Sequence, residues 1–311
     1  MRVLIAGASG VLGRHMAWEI TAAGHQVIAL GRTPDGSGAL KDMGAEFVRA
    51  DLLDREGLLR ALDGQHADAV IHAATALSST PLRHSQMAGT DRLRTTGTAN
   101  LVDAAREIGA KRLVSESMHV GYGYRDFGDT PVTEDTPFAP QGQGAAVEPH
   151  LAGFREKERL TFHSDGIEGV SLRFGALYGP GFGVGGTDTI VELLRARKLP
   201  VADGGGVLNW TDLRDAGRAT LLALERGEAG RAYNIVDDTA VSLTDHIRRA
   251  AEVFGTPRPR TVPMWLLRFA APYVHTMMKT SMHVSNARAR RELGWEPTTA
   301  SSLEGLRKLA G

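Results

Sequence analysis

The 311-residue chain contains no cysteine. That absence removes disulfides, thiolate nucleophiles and cysteine-ligated metals together, and it fits a reducing compartment. A surplus of charge is missing as well. Lysine plus arginine and aspartate plus glutamate number 36 each, with no long run of one sign. Such a balance gives no electrostatic footprint for nucleic acid and no attraction to an anionic membrane surface. Long apolar runs are also lacking. The most apolar late stretch, VPMWLLRFAAPYVHTMM (262–278), is interrupted by Arg268, Pro272 and His275 and is too short to span a bilayer. It reads as a packed helix at a domain or subunit contact, which leaves a homodimer open as the assembly. The start, MRVLIAGASG, reaches a glycine turn at Gly7, too early for the apolar core of a signal peptide. These absences predict a cytoplasmic protein whose partner is a small molecule. Its eleven histidines show no ligand pair at helical spacing beside a carboxylate, so no metal site is expected. No serine lies in a nucleophile-elbow pattern either.

What the sequence does contain is alternation. Short aliphatic runs at 2–7, 26–30, 46–50, 68–74, 111–117 and 169–174 read as strands, with amphipathic helical patterns between most of them. Parallel neighbours need crossover helices, so the pattern predicts an α/β fold built on a Rossmann-type doubly wound parallel sheet. The length allows one large domain or two joined ones. Three loops stand out by composition: Thr33 to Gly38, Phe138 to Pro149, and Gly179 to Thr187. The last two are long and glycine-rich enough to border an active site, and the third should lie at its far, reactive end.

The strongest local motif is GASGVLG (7–13), between the first strand and a helical pattern. Gly7 permits a tight bend, Gly10 lets backbone approach a pyrophosphate, and Gly13 allows close helix packing. The amides of Ser9, Val11 and Leu12 open a helix whose N-terminus favours an anion. The residue that grips the adenosine ribose should follow the second strand, where the chain reads ALGRTP. Arg32 is a poor acceptor for a hydroxyl and a good partner for a 2′-phosphate, so NADP(H) is the expected cofactor rather than NAD. Asp51 follows the third strand and either accepts from the adenine amino group or caps the next turn.

These residues, with ADL (50–52), VIHAAT (70–75), TGTANLVDAA (96–105), KRLVSES (111–117), LRFGALYGPG (172–181), YNIVDD (233–238) and RRELGWEP (290–297), make the chain resemble the extended short-chain dehydrogenase/reductase superfamily, the NAD(P)-dependent epimerase/dehydratase group. The resemblance implies that Leu52, Ala73, Ala74 and Thr75 line the cofactor. It also implies a Rossmann core at 1–179 and 208–240, and a smaller substrate-binding region at 180–207 and 241–311.

The active site is where the sequence departs from that group. Aligning on Gly97, Thr98 and Asn100 puts Arg94 at the usual asparagine, and aligning on Tyr122 and Gly123 puts Met118 at the usual serine. Matching Glu158 sets Phe154 at the lysine and His150 at the tyrosine. No tyrosine in the chain is followed four residues later by lysine. The usual tyrosine, with an ordinary pKa of about 10, depends on that lysine to ionise, whereas a histidine near 6.5 needs no such help. His150 is therefore the expected acid/base, assisted or replaced by His119, with Ser117 as a further donor. Arg94 pairs with an acid such as Asp91 or Glu116, or binds substrate. Arg94, Met118, Tyr122, Phe154 and Trp210 are the expected pocket residues, and Met118 and Phe154 suit an apolar substrate. Members acting on nucleotide sugars carry an arginine-aspartate pair where this chain has Leu208 and Asn209 before Trp210, which disfavours that substrate class. The expected function is carbonyl reduction, isomerisation or elimination on a small metabolite. A non-catalytic NADP(H)-binding sensor or assembly protein is the alternative.

Overall fold

The computed structural model describes residues 1–33 and 37–311. Of the loop Thr33 to Gly38, residues 34–36 lie outside the described residues. The centre is a seven-stranded, wholly parallel sheet of β1 (Arg2–Ala6), β2 (Gln26–Gly31), β3 (Glu46–Arg49), β4 (Ala69–His72), β5 (Arg112–Met118), β6 (Glu168–Phe174) and β7 (Arg231–Ile235). Their spatial order is β7-β6-β5-β4-β1-β2-β3. The order reverses between β1 and β4, and this switch point opens the crevice in which such sheets hold ligands. The six strands expected from aliphatic runs all form. The seventh, RAYNI, is added beside β6 with Arg231 opposite Val170 and Ile235 opposite Phe174.

Both sheet faces are covered, which is why the strands read as continuous apolar runs. In β1, Val3 and Ile5 enter one core with Met16, Ile20, Leu172, Phe174 and Tyr233. Leu4 and Ala6 enter the opposite one with Ile28, Leu30, Leu58, Leu101 and Leu113. Burial of each such aliphatic side chain contributes roughly 1.5–3 kcal/mol, so the central strands are firmly held. On the first face, helices Val11–Ala22 and Leu213–Arg226 approach closely because Gly217 has no Cβ, which would lie 2.7 Å from the His15 carbonyl oxygen.

Residues beyond β6 build a second layer from short strand pairs, Ala176–Tyr178 with Trp210–Asp212, Val207–Leu208 with Val241–Ser242, and Val201–Ala202 with Thr261–Val262. Tyr178, Leu194, Trp210, Ile247 and Leu306 form its own apolar core. The apolar stretch 262–278 becomes two short helices, Met264–Ala270 and Pro272–Met278. The first buries no residue and leaves Trp265 and Phe269 at 65% and 69% exposure. The second packs inward. Among the described residues no helix is long and apolar enough to cross a membrane.

Candidate functional site

The glycine turn fits a pyrophosphate by exclusion of side chains. Gly7 has φ of +90°, and a Cβ there would lie 2.7 Å from the backbone of Ala73 and Ala74, so these segments touch main chain to main chain. A Cβ on Gly13 would collide with the Gly7 carbonyl. Above Gly10 the space is open, with only the Gly7 oxygen at 3.3 Å. Gly10 is also the N-cap of the first helix and offers no side-chain cap, so the amides of Val11 and Leu12 gain no partner from it, as a helix start open to an anion requires. Arg14, which sequence reasoning overlooked, donates to the Ser9 carbonyl at 2.5 Å and holds a guanidinium beside this turn. The Gly179 to Thr187 loop packs here too: a Cβ on Gly181 would meet Val11 at 3.0 Å, and the Pro180 carbonyl lies 3.1 Å from His15 Nε2. The loop therefore packs against the glycine turn and the first helix.

Arg32 follows β2 and is exposed, and its carbonyl accepts a hydrogen bond from Arg49 Nε at 3.1 Å. Arg49 closes β3 opposite Gly31. Neither guanidinium has an acidic partner among the described residues, so two cations share one strand edge. Asp51 is half-buried, and its Oδ1 accepts from the Leu53 amide at 2.9 Å, the turn-capping role. Leu52 is buried, with its carbonyl bound by Asn100 Nδ2 at 2.7 Å. Ala73 is buried, Ala74 half-buried and Thr75 exposed, with the Thr75 hydroxyl 3.1 Å from that of Thr90.

Helix Glu148–Phe162 turns a buried stripe of His150, Phe154, Lys157 and Thr161 toward the helical run that begins at His84. His150 is 2% exposed and engaged at both ring nitrogens: Nδ1 lies 2.7 Å from Asp91 Oδ2, and Nε2 lies 3.0 Å from His84 Nδ1. The other Asp91 oxygen accepts from Arg94 Nη1 at 3.0 Å. Arg94 then lays its guanidinium 3.7 Å over the Phe154 ring. A π-helical turn at Leu93–Gly97 carries Arg94, a local departure that often marks functional positions. One helical turn beyond Phe154, buried Lys157 meets Glu116 at 2.8 Å. Burial pushes the Lys157 ammonium below its usual pKa against the pull of Glu116. Burial alone would raise Glu116, but Lys157 and Arg94 outweigh it and hold the carboxyl below the ordinary range.

Two phenols that the sequence did not single out complete the cluster. Tyr124 and Tyr273 present ring edges to His150, with centroids 6.4 and 5.8 Å away. Burial raises both phenols above their usual pKa, Tyr124 strongly, so each is a neutral hydrogen-bond donor near neutral pH. Tyr273 also stands edge-on to His84, and Thr276 Oγ1 lies 3.2 Å from His84 Nε2. Helix Pro272–Met278 thus covers the cluster.

Met118 is half-buried and packs against the apolar cluster that contains Phe154. The remaining candidates sit elsewhere. Ser117 is buried, with a hydroxyl that has no hydrogen-bond partner among the described residues. His119 is fully buried, its ring nitrogens similarly unpartnered, and desolvation pushes it down to about 4. Tyr122 donates to Asn234 at 2.8 Å and accepts from Arg173, which forks onto Glu158. Burial pushes that phenol up to about 12. Trp210 donates to the Val241 carbonyl and stacks on His246 at 3.7 Å, inside the C-terminal core. Asn209 ties the Asp237 carbonyl to the Val284 amide. Tyr122 and Trp210 belong to structural networks distinct from the His150 cluster.

A model of the NAD dependent epimerase/dehydratase family matches residues 3–236. A "3-diazoavenalumate denitrifying reductase" from a Streptomyces species is 38% identical over 98% of this chain and 99% of its own. The "2-alkyl-3-oxoalkanoate reductase" of Stenotrophomonas maltophilia is 27% identical over 99% and 98%. Among solved structures, the UDP-glucose 4-epimerase of Thermus thermophilus in complex with NAD superposes with a TM-score of 0.80 at 26% identity, covering 100% of this chain and 98% of the other.

Proposed function

We propose, for a chain that belongs to the NAD dependent epimerase/dehydratase family and is an oxidoreductase-type enzyme, that it is an NADPH-dependent reductase of a small aromatic diazo compound. The 1–179 and 208–240 segments would bind cofactor, and 180–207 with 241–311 would shape the substrate side. Gly7, Gly10, Gly13 and the amides of the first helical turn would hold the pyrophosphate. Arg32 and Arg49 would bind the 2′-phosphate, which supports NADP(H) over NAD. When bound, the nicotinamide supplies a hydride.

The observation that carries the substrate reading is the pair His150 and Phe154. Phe154 lies under a guanidinium at the position where a lysine would activate a phenol, and His150 has both ring nitrogens occupied. Reducing a ketone leaves an alkoxide that demands a proton at once. An arenediazonium cation instead accepts a hydride at its terminal nitrogen and becomes a neutral aryldiazene, with no oxyanion to quench. The diazene then gives its N–H proton to a base, the C–N bond breaks, dinitrogen leaves, and the ring carbon takes up a proton. His150, with Asp91 behind it, would be that base and then that acid, acting through the half-buried His84 that holds its other nitrogen. Arg94, Met118 and Phe154 would form an aromatic-binding wall, and Leu208 and Asn209 leave no arginine for a nucleotide diphosphate. The relative's name and its 38% identity support the same class.

A second reading, carbonyl reduction of a small oxo acid or ketone, is favoured by the His150–Asp91 pair, which would protonate an alkoxide. One experiment separates the two. The protein is incubated with NADPH deuterated at the transferred position and either a hydroxyarenediazonium salt or a 3-oxoalkanoate. The diazo reading expects consumption of the diazonium salt with dinitrogen release in step with NADPH oxidation. Deuterium fixed on a carbinol carbon, with no consumption of the diazonium salt, would replace it with the second reading.

A further inference from the structure

We infer that Asp91, His150, His84 and Thr276 form a relay that carries a single proton, and that His84 is the residue through which buried His150 exchanges it. The inference rests on His150 being the acid/base of the proposed reductase, and it concerns how that proton reaches it.

The contacts run in one line. His150 Nδ1 meets Asp91 at 2.7 Å, His150 Nε2 meets His84 Nδ1 at 3.0 Å, and His84 Nε2 meets the Thr276 hydroxyl at 3.2 Å. The two imidazoles are nearly coplanar, with an interplanar angle of 11°. Thr276 Oγ1 is also 3.0 Å from the Pro272 carbonyl. Donor and acceptor roles can be assigned completely in two ways. With no extra proton, Thr276 donates to His84 Nε2, His84 Nδ1–H donates to His150 Nε2, and His150 Nδ1–H donates to the Asp91 carboxylate. With one extra proton, His150 carries hydrogen on both nitrogens and donates to His84 Nδ1. His84 Nε2–H then donates to Thr276, whose hydroxyl turns to the Pro272 carbonyl. The same heavy-atom positions accommodate both states. A second extra proton would set two N–H groups against each other across the 3.0 Å contact, so the chain holds one.

The surroundings make that proton movable. Asp91 is shared with Arg94, whose charge offsets much of the pull that the carboxylate would exert on an imidazolium. Tyr124 and Tyr273 face the pair as uncharged rings, and the Lys157–Glu116 pair beside Arg94 adds no net charge. His150 is closed off, whereas His84 is half-buried. His84 and Asp91 lie seven residues apart on one helical run, so a single element grips His150 at both nitrogens.

The test uses holoprotein labelled with ¹⁵N-histidine and loaded with NADPH, without substrate. Imidazole nitrogen shifts are followed with pH in the wild type, in Thr276→Val and in His84→Ala. The relay expects the His84 and His150 signals to move together with one midpoint, the midpoint to shift in Thr276→Val, and His150 to titrate alone in His84→Ala. Turnover of His84→Ala should fall about tenfold to a hundredfold and recover with added imidazole buffer. Independent titration of the two rings in the wild type, or full turnover of His84→Ala with an unchanged pH profile, overturns the relay. The titrations need no substrate, so coupled rings without turnover of a diazo or oxo compound would leave the relay standing and reject the proposed function alone.

Discussion

The guanidinium of Arg94 rests 3.7 Å above the ring of Phe154. The cation over this ring comes from the neighbouring helical run and pairs with Asp91. This pairing predicts coupling between the two positions. Phe154→Lys alone would press an ammonium against a buried guanidinium and leave it without a carboxylate, at a cost of about 3–5 kcal/mol. Phe154→Lys combined with Arg94→Asn should recover at least about 1 kcal/mol of that loss, since the repulsion goes with Arg94. Urea denaturation of the two single variants and the double variant measures it. Strict additivity would deny that the two positions are coupled.

The proposed preference for NADPH rests on the strand edge bearing Arg32 and Arg49. Removing either guanidinium should cost about 1.5–3 kcal/mol of NADPH affinity, or roughly tenfold to a hundredfold, and leave NADH unchanged. Calorimetry on Arg32→Ala and Arg49→Ala decides the matter. Wild-type affinity for NADH equal to or tighter than that for NADPH would overturn the NADP(H) reading.

How much of this was legible beforehand differs by level. The strands were readable because burial on both faces leaves uninterrupted aliphatic runs, and the glycine turn because its geometry is local. Arg94 with Asp91 was readable as an i, i+3 pair. His84 was not, since its contact with His150 spans 66 positions, and Thr276 lies 192 positions from His84. The apolar stretch 262–278 hid a division of labour: Tyr273 and Thr276 point into the site while Trp265 and Phe269 face outward. Composition alone does not say which half of a stretch a distant helix will cover.

Acid sensitivity should come in part from His119. Burial pushes this imidazole down to about 4, so it stays neutral in the folded protein while the unfolded chain protonates it near 6.5. The unfolded state therefore binds the extra proton first as pH falls. Stability is full above about pH 6.5 and declines between about 6.5 and 4, by on the order of 3 kcal/mol from this group. His119→Phe should flatten that part of the stability curve. An unchanged slope between pH 6.5 and 4, measured by denaturant midpoints, would show that His119 gains a partner or solvent when charged.

His150 and His119 were both acid/base candidates by residue type, and their surroundings separate them. His150 has a carboxylate at 2.7 Å and a second imidazole at 3.0 Å, the partners that the proposed acid/base role calls on. His119 has neither and is sealed in the interior. A positioned acid/base is worth about a hundredfold to ten-thousandfold in rate, so His150→Ala should lower kcat by that order with NADPH affinity nearly intact. His119→Ala, assayed where it remains folded, should keep kcat. Asp91→Asn should fall between them, because the amide still accepts from His150 while its lost charge releases Arg94 and weakens the imidazolium. Steady-state kinetics across pH on the three variants orders them, and a His119→Ala loss as deep as that of His150→Ala would return the proton step to the buried histidine.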